Sequence, residues 1–176
     1  MEDSNIPTKD QCMYILKKYK TPNTVIQHCL IVTGVVEEFC LKIPQVNRKI
    51  AIAGAMLHDI GRTINHSISH AINGAEILEK ENIDSRIIAI VRNHIGTGIV
   101  KEEAKKLGLP SEDYVPETLE EEIVSYSDNL TSGNDKCSFE EKLDHFIQKF
   151  GEESHVVKGF FRQKKLLNSL IKLNKV

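Results

Sequence analysis

The 176-residue sequence contains no tryptophan, and aromatic residues make up only 6% of it. None of its four cysteines belongs to a Cys-x-x-Cys pair, which argues against a thiolate zinc site. No 18 apolar residues run together, so neither a signal peptide nor a membrane span is predicted. The net charge of −2 gives a nucleic-acid partner no support. We therefore expect a cytoplasmic protein without a membrane partner.

The composition is typical of one globular domain. Apolar residues account for 40% of the chain and charged residues for 27%, which excludes wholesale disorder. A chain of this length can bury a sizeable core. Cys12, Cys29 and Cys40 lie beside apolar residues on predicted helices, and we expect them to be reduced and buried.

Apolar residues recur at three- and four-residue steps along most of the chain, which is typical of amphipathic helices. Thr8, Thr118 and Ser138 each precede a Gln or Glu by three residues, the pattern of a capping box at a helix start. No strand-like alternation persists beyond four residues. The sequence therefore predicts an all-α fold, a compact single-domain bundle of six to eight helices.

Three histidines, His28, His58 and His94, lie at or beside the apolar stripes of predicted helices. Taken singly, such a histidine is more often a hydrogen-bonded core residue than a metal ligand. Together with Asp59 and Asp128, they would concentrate costly polar groups in one small domain. A divalent cation would satisfy them jointly, because imidazole and carboxylate are the usual ligands of zinc, iron and manganese.

The spacing of His58 and Asp59 restricts where such an ion can lie. Adjacent helical residues point about 100° apart, so both can reach one ion only near a helix end. Gly61 suits the left-handed position that closes a helix. We therefore expect the third helix to end at this pair.

These residues carry a family resemblance. The order His28, then His58 and Asp59, then Asp128, with the string HDIG at 58–61, resembles the HD-domain superfamily of metal-dependent phosphohydrolases. The resemblance covers most of the chain. It implies a domain with an N-terminal helix at 1–20, a metal-binding core at 21–133 and C-terminal helices at 134–176 that complete the same domain.

Two further histidines extend the resemblance to two-metal members of the superfamily. His70 in HAINGA and His94 in NHIGTG resemble the additional ligands of those enzymes, which include the bacterial diadenosine tetraphosphate hydrolases. The segment from HIGTG to VSYSDNL is similar to stand-alone archaeal HDIG proteins. The resemblance implies that Asp59 bridges two ions. The first would also be held by His28, His58 and Asp128, and the second by His70 and His94.

The activity implied by the resemblance is hydrolysis of a phosphomonoester, phosphodiester or phosphoanhydride bond in a nucleotide-type small molecule by metal-activated hydroxide. The implied cofactors are one or two divalent ions, which could be Mn, Fe, Co, Ni, Zn or Mg. Asp59, Arg62 and His66 are the predicted catalytic residues. Arg62 suits bidentate phosphate contact, with a surface salt bridge as an equal alternative, and His66 is interpreted as a substrate contact.

Two other functions remain open for this sequence. One is a non-catalytic regulatory HD module that uses the metal for stability, and the other is a di-iron HD oxygenase. The apolar residues of the last helix, including Phe160 and Phe161, are interpreted as core or as the seam of a homodimer. His145 and His155 lie among charged residues and are interpreted as solvated surface groups.

Overall fold

The computed structural model describes residues 5–174, most of which are helical. The predicted all-α class is confirmed, and a two-stranded hairpin, β1 Thr131–Ser132 with β2 Asp135–Lys136, is a minor addition. Within the described range there are nine α-helices, one more than the predicted six to eight. The helices are α1 Lys9–Lys18, α2 Asn23–Lys42, α3 Arg48–Leu57, α4 His70–Lys80, α5 Ser85–Asn93, α6 Lys101–Lys106, α7 Leu119–Asn129, α8 Phe139–Phe150 and α9 His155–Leu173.

Several helices begin where side chains cap them. Thr8 accepts a hydrogen bond from the Gln11 amide, and the Gln11 side chain accepts one from the Thr8 amide, which completes the predicted capping box. Ser138 forms the same reciprocal pair with Glu141 at the start of α8. Each cap satisfies amide groups that the first helical turn leaves unpaired and contributes about 1 kcal/mol.

One large apolar cluster holds most of the helices together. α3 packs against α1, α2, α5 and α7, and α9 closes the far side of α7 beside α8. Leu57, Ile90, Ile123 and Phe160 are almost completely buried in this cluster. The polar residues that follow α3 and α5 therefore emerge directly from the core.

The segment after α3 differs from the prediction. Gly61 is not left-handed; it lies in a 3₁₀ turn, Ile60–Thr63, that continues from α3. A side chain here would put its Cβ 1.9 Å from the His70 carbonyl oxygen and 2.6 Å from the Gly74 amide nitrogen. Glycine is needed because the start of α4 crosses this turn at backbone contact, and this crossing brings His70 close to Asp59.

The cysteine prediction is correct for two of its three residues. Cys12 and Cys29 are buried, whereas Cys40 is only half-buried because it lies near the end of α2, away from the centre of the core. All four cysteines are free. Burial raises the pKa of the Cys12 thiol to about 12.

By length and apolar composition, α2 is the one helix of residues 5–174 that could cross a membrane. Three of its buried side chains, Ile26, Val32 and Val36, belong to the apolar cluster of this domain. A core helix of a globular protein passes the same test. The composition of α2 is therefore accounted for by its central position in the fold.

Candidate metal centre

Six predicted site residues converge from five helices. His28 lies in the second turn of α2 and Asp128 near the end of α7, and both are half-buried. The remaining four are almost completely inaccessible to solvent: His58 and Asp59 directly after α3, His70 at the start of α4 and His94 directly after α5. These side chains meet at one point because α2 and α4 begin near it and α3, α5 and α7 end near it.

Every imidazole of the group is oriented by a backbone carbonyl. A carbonyl can only accept a hydrogen bond, so the ring nitrogen beside it, Nδ1, must donate. The Nδ1–O distances are 2.7 Å from His28 to Gly133, 2.8 Å from His58 to Ala55, 2.7 Å from His70 to Ser67 and 2.7 Å from His94 to Val91. All four rings consequently direct Nε2 toward the centre of the group.

The Asp59 carboxylate lies between two pairs of these rings. Its Oδ2 is 3.7 Å from Nε2 of His58 and 3.9 Å from Nε2 of His28. Its Oδ1 is 2.9 Å from Nε2 of His70 and 3.6 Å from Nε2 of His94. One carboxylate therefore offers a separate oxygen to each pair of imidazoles.

Asp128 adds a second carboxylate on the side of His28 and His58. Its Oδ1 lies 2.9 Å from Nε2 of His28 and 3.6 Å from Nε2 of His58. On the opposite side, the Nε2 atoms of His70 and His94 are 3.2 Å apart. The ligand-type atoms of His28, His58 and Asp128 all lie within 4.8 Å of one another, as do those of His58, Asp59 and His94.

This donor set fits a cation. When Nδ1 carries the ring proton, Nε2 presents a lone pair, and two facing acceptors attract only if a positive charge lies between them. Among residues 5–174, the buried His58 Nε2 and Asp59 Oδ1 have no hydrogen-bond partner. Such atoms cost free energy unless an ion or solvent satisfies them. A divalent ion takes imidazole and carboxylate ligands, so it would satisfy these orphaned atoms and the facing acceptors together.

The electrostatics of the group favour ionised carboxylates. Burial alone raises the pKa of Asp128, but hydrogen bonds with His28 and His58 outweigh it and hold this pKa below its usual range. The pKa of Asp59 is also lowered, because the nearby imidazoles outweigh the opposing effect of burial. Burial lowers the pKa of His94, which favours the neutral ring that a metal needs.

The two other predicted catalytic residues lie at the entrance of the group. A cleft of about 370 Å³ opens over it and is lined by Arg62 and the exposed His66 together with His28 and Asp59. Arg62 Nε donates to Asp59 Oδ2 over 2.6 Å. His66 is therefore in contact with the cleft, whereas Arg62 both pairs with the central carboxylate and faces solvent.

Sequence reasoning missed the polar residues that hold α7 in place. Ser125 Oγ and Asn129 Nδ2 donate to the Gly96 carbonyl oxygen over 2.7 and 2.6 Å, which ties α7 to the loop after His94. Gln163 Nε2 on α9 donates to Glu122 Oε2 and Ser125 Oγ, each over 3.0 Å. The four-residue step from Ser125 to Asn129 was the available signal, since it places both on one face of a helix.

The first turn of α7 is an acidic run of three glutamates, a residue type that is favoured electrostatically at a helix N-terminus. Two of its members are in fact buried. Glu121 accepts a hydrogen bond from Asn93 Nδ2 over 2.8 Å, and Glu122 accepts one from Arg162 Nη1 over 2.5 Å. These glutamates are therefore structural links from α7 to α5 and α9.

Other predictions outside the centre agree with the structure. His145 and His155 are exposed, and Phe160 is buried in the core while Phe161 is half exposed. Arg92 points away from His94 and pairs with Glu112. These residues do not contribute to the six-residue group.

Comparison with known proteins places this geometry in a family. The family model of the HD domain matches residues 25–133, more than half of the chain. The uncharacterized protein MJ0778 of Methanocaldococcus jannaschii is 37% identical over 167 residues, which cover 93% of this chain and 98% of that protein.

A second relative is much longer than this chain. The tRNA (cytidine(56)-2'-O)-methyltransferase of Picrophilus torridus is 49% identical over 144 residues, which are 82% of this chain. The matched segment is only 42% of that protein. The chain thus spans less than half of the length of this relative, whose methyltransferase activity belongs to the whole protein.

A solved structure has the same fold. The HD domain of the L. monocytogenes phosphodiesterase PgpH, crystallised with cyclic-di-AMP, superposes with a TM-score of 0.57 at 21% sequence identity. The superposition covers 91% of this chain and 94% of that domain. From the family match, the near full-length relative and the shared fold, we conclude that this chain belongs to the HD domain family.

Proposed function

We propose that this chain is a metal-dependent phosphohydrolase that cleaves a phosphate ester or anhydride bond of a nucleotide-type substrate. The observation that carries the proposal is the position of the Asp59 carboxylate, which offers one oxygen to His28 and His58 and the other to His70 and His94. A carboxylate shared in this way suits two divalent ions side by side. The match to the HD domain supports a metal-dependent hydrolase at a coarser level.

In this proposal Asp59 is the shared ligand. His28, His58 and Asp128 complete the ligand set on one side, and His70 and His94 complete it on the other. Bound divalent ions supply Lewis acidity and lower the pKa of water toward about 7. The oriented Nδ1–H groups fix each ring before binding, which reduces the reorganisation needed when an ion arrives.

The chain's own residues would position the substrate. The cleft is open to solvent above His28 and Asp59, so a phosphate group can approach the ligand set directly. Arg62 has one N–H engaged by Asp59, and its remaining guanidinium donors are available to a phosphate oxygen. His66, exposed at the same cleft, is proposed as a further substrate contact.

Two of the similar proteins bear on the substrate class. The structural neighbour was crystallised with a cyclic dinucleotide, and the Picrophilus torridus relative is named for an RNA substrate. Both substrates contain nucleotide phosphodiesters. Fold similarity does not determine substrate, and the matched segment is only 42% of the RNA enzyme, so the proposal for this chain stays at the level of a nucleotide phosphate.

The two alternative functions, a regulatory HD module and a di-iron HD oxygenase, predict different experimental results. A regulatory module would bind metal without turnover, although the presence of all six ligand-type residues favours catalysis. A di-iron oxygenase would require oxygen. Elemental analysis of the purified protein, combined with a screen for nucleotide hydrolysis without oxygen that detects nucleotide products as well as phosphate, separates the three functions.

We expect bound divalent metal and oxygen-independent nucleotide hydrolysis that is abolished in Asp59→Ala. The exposed Asp144 provides a matched control, and Asp144→Ala should retain both metal and activity. Metal binding with no hydrolysis of any nucleotide would support the regulatory alternative. Turnover that requires oxygen would support the oxygenase, and full activity of metal-stripped Asp59→Ala would overturn metal dependence.

A further inference from the structure

A second cavity, of about 530 Å³, lies beside the metal-centre cleft. Its walls include the apolar side chains of Ile95, Ile99, Phe146 and Phe150, and Lys142 and Lys149 stand among them. We name this cavity the α8 pocket. Its volume is in the range of small-molecule sites, and its mixture of apolar walls with a few polar groups is typical of them.

The α8 pocket adjoins the candidate metal centre. Arg62 lines both the pocket and the cleft. Two further lining residues, Ile95 and Asn129, directly follow His94 and Asp128 in the sequence. A molecule with a phosphate at the metal centre could therefore extend past Arg62 into the pocket.

The two lysines of the pocket are available to an anion. Lys142 Nζ lies 5.1 Å from the centre of the Phe146 ring, and Lys149 Nζ lies 5.0 Å from that of Phe150. Within residues 5–174, no carboxylate lies within 4.0 Å of either ammonium group. The carboxylate of the pocket, Glu103, instead has His155 Nε2 at 2.9 Å from its Oε2.

Aromatic rings beside unpaired ammonium groups suit a ligand with a flat base and a phosphate. Bases stack on phenylalanine rings with little preference for sequence, and lysines bind phosphate as point charges. Phe150 is 43% exposed, so its ring is accessible for stacking. Both lysines and both phenylalanines of the pocket come from α8, which lies beyond the segment matched by the HD family model, whereas the opposite wall comes from that segment. The aromatic and cationic side of the pocket is therefore not part of the matched family segment.

We propose that the α8 pocket binds a nucleoside monophosphate unit of the substrate, next to the phosphate that is cleaved. The substrate would then contain two nucleotide units, one at the metal centre and one in the pocket. The placement of the cleaved phosphate rests on the proposed function, whereas nucleotide binding by the pocket does not.

Binding is tested with AMP by titration calorimetry, using the full chain both as purified and after dialysis against EDTA. We expect AMP to bind in both states and more tightly than adenosine or inorganic phosphate. Phe150→Ala and Lys149→Ala should each weaken AMP binding by about fivefold or more, since a stacked base contributes on the order of 1–3 kcal/mol. Phe161→Ala and Lys158→Ala are matched controls on exposed α9 positions outside both cavities and should change nothing.

The kinetic test compares a linear di-adenylate with bis(p-nitrophenyl) phosphate, which has no nucleoside. The double variant Lys142→Ala/Lys149→Ala should raise KM for the di-adenylate by about tenfold with little change in kcat, because uniform binding is lost. Its turnover of bis(p-nitrophenyl) phosphate should equal that of the unsubstituted protein.

Absence of AMP binding at millimolar concentration, or binding unaffected by Phe150→Ala and Lys149→Ala, would overturn the pocket assignment. Equal KM effects on both phosphodiesters would also overturn it. If AMP binds as expected but no phosphate ester or anhydride of a nucleotide is hydrolysed, the proposed function fails and the pocket assignment stands.

Discussion

Arg62 connects the buried carboxylate of Asp59 with the solvent-exposed cleft. Its Nε–H donates a hydrogen bond to Asp59 Oδ2 over 2.6 Å, and its side chain is 30% exposed. An arginine suits both contacts because its planar fork has several donors in fixed positions. The role of residue 62 should therefore depend on the geometry of its donor groups as well as on its charge.

We expect Arg62→Lys to retain bound metal and to lose activity by about 10- to 100-fold, since lysine keeps the charge but loses the fixed donor fork. Metal content and kcat/KM on the same preparation check this prediction. Arg48→Lys, the same substitution at an exposed arginine that pairs with Glu37, serves as the control and should leave metal content and kcat/KM unchanged. An unchanged rate in Arg62→Lys would leave Arg62 with no role beyond its ion pair with Asp59.

Gly61→Ala should destabilise the protein by about 3 kcal/mol, because the new Cβ would overlap backbone atoms that have no rotamer to relieve the clash. Urea unfolding measures this free energy. Gly34→Ala inside α2 is the matched control: its Cβ meets nothing within 4 Å, and alanine favours a helix by about 0.5–1 kcal/mol. Equal stabilities of the two variants would contradict the proposed role of the close crossing.

At the scale of elements, α7 is held by hydrogen bonds on two sides. Ser125 and Asn129 reach the loop after His94, and Gln163 reaches α7 from α9. These bonds are buried, so breaking one leaves polar groups unpaired in the interior. They fix the position of α7, and with it Asp128, relative to His94.

Ser125→Ala should lower the free energy of unfolding by about 1–3 kcal/mol, because the Gly96 carbonyl and the Gln163 amide both lose a partner. Chemical denaturation is the measurement. Ser169→Ala, on the exposed surface of α9, makes the same substitution in a helix and should change stability by less than about 0.5 kcal/mol. A Ser125→Ala variant as stable as Ser169→Ala would show that the network contributes nothing.

At the scale of the molecule, the candidate metal centre joins helices that are distant in sequence. Its ligand-type side chains come from α2, the end of α3, the start of α4, the end of α5 and α7. An ion held by these residues would bind the folded state and not the unfolded chain. Metal binding should therefore stabilise the whole fold.

We expect Mn²⁺ at about 100 times its Kd to raise stability by about 2.7 kcal/mol, and Tm by about 5–10 °C for a chain of this size. Differential scanning fluorimetry, with EDTA as the reference, checks the shift. The double variant Asp59→Ala/Asp128→Ala should show no such shift. A rise of the same size in that variant would place the ion elsewhere.

Much of the fold follows from local sequence signals. Thr8, Asn47 and Ser138 mark helix starts because a cap and its partner are only three residues apart. The six ligand-type residues could also be named in advance, since their residue types and their order resemble a known family. The burial of Glu121 and Glu122 could not be predicted, because their partners on other helices lie 28 to 41 residues away.

The sequence by itself determined the all-α class, the helix starts and the identity of the residues that converge. Only the tertiary structure decided which Asp59 oxygen faces which histidines, that Gly61 serves a close crossing, and that α8 builds a pocket next to the centre. The physical reason is sequence separation: His28 and Asp128 lie 100 residues apart and meet at 2.9 Å. Such contacts depend on how the helices pack against one another, and a local sequence pattern does not determine that packing.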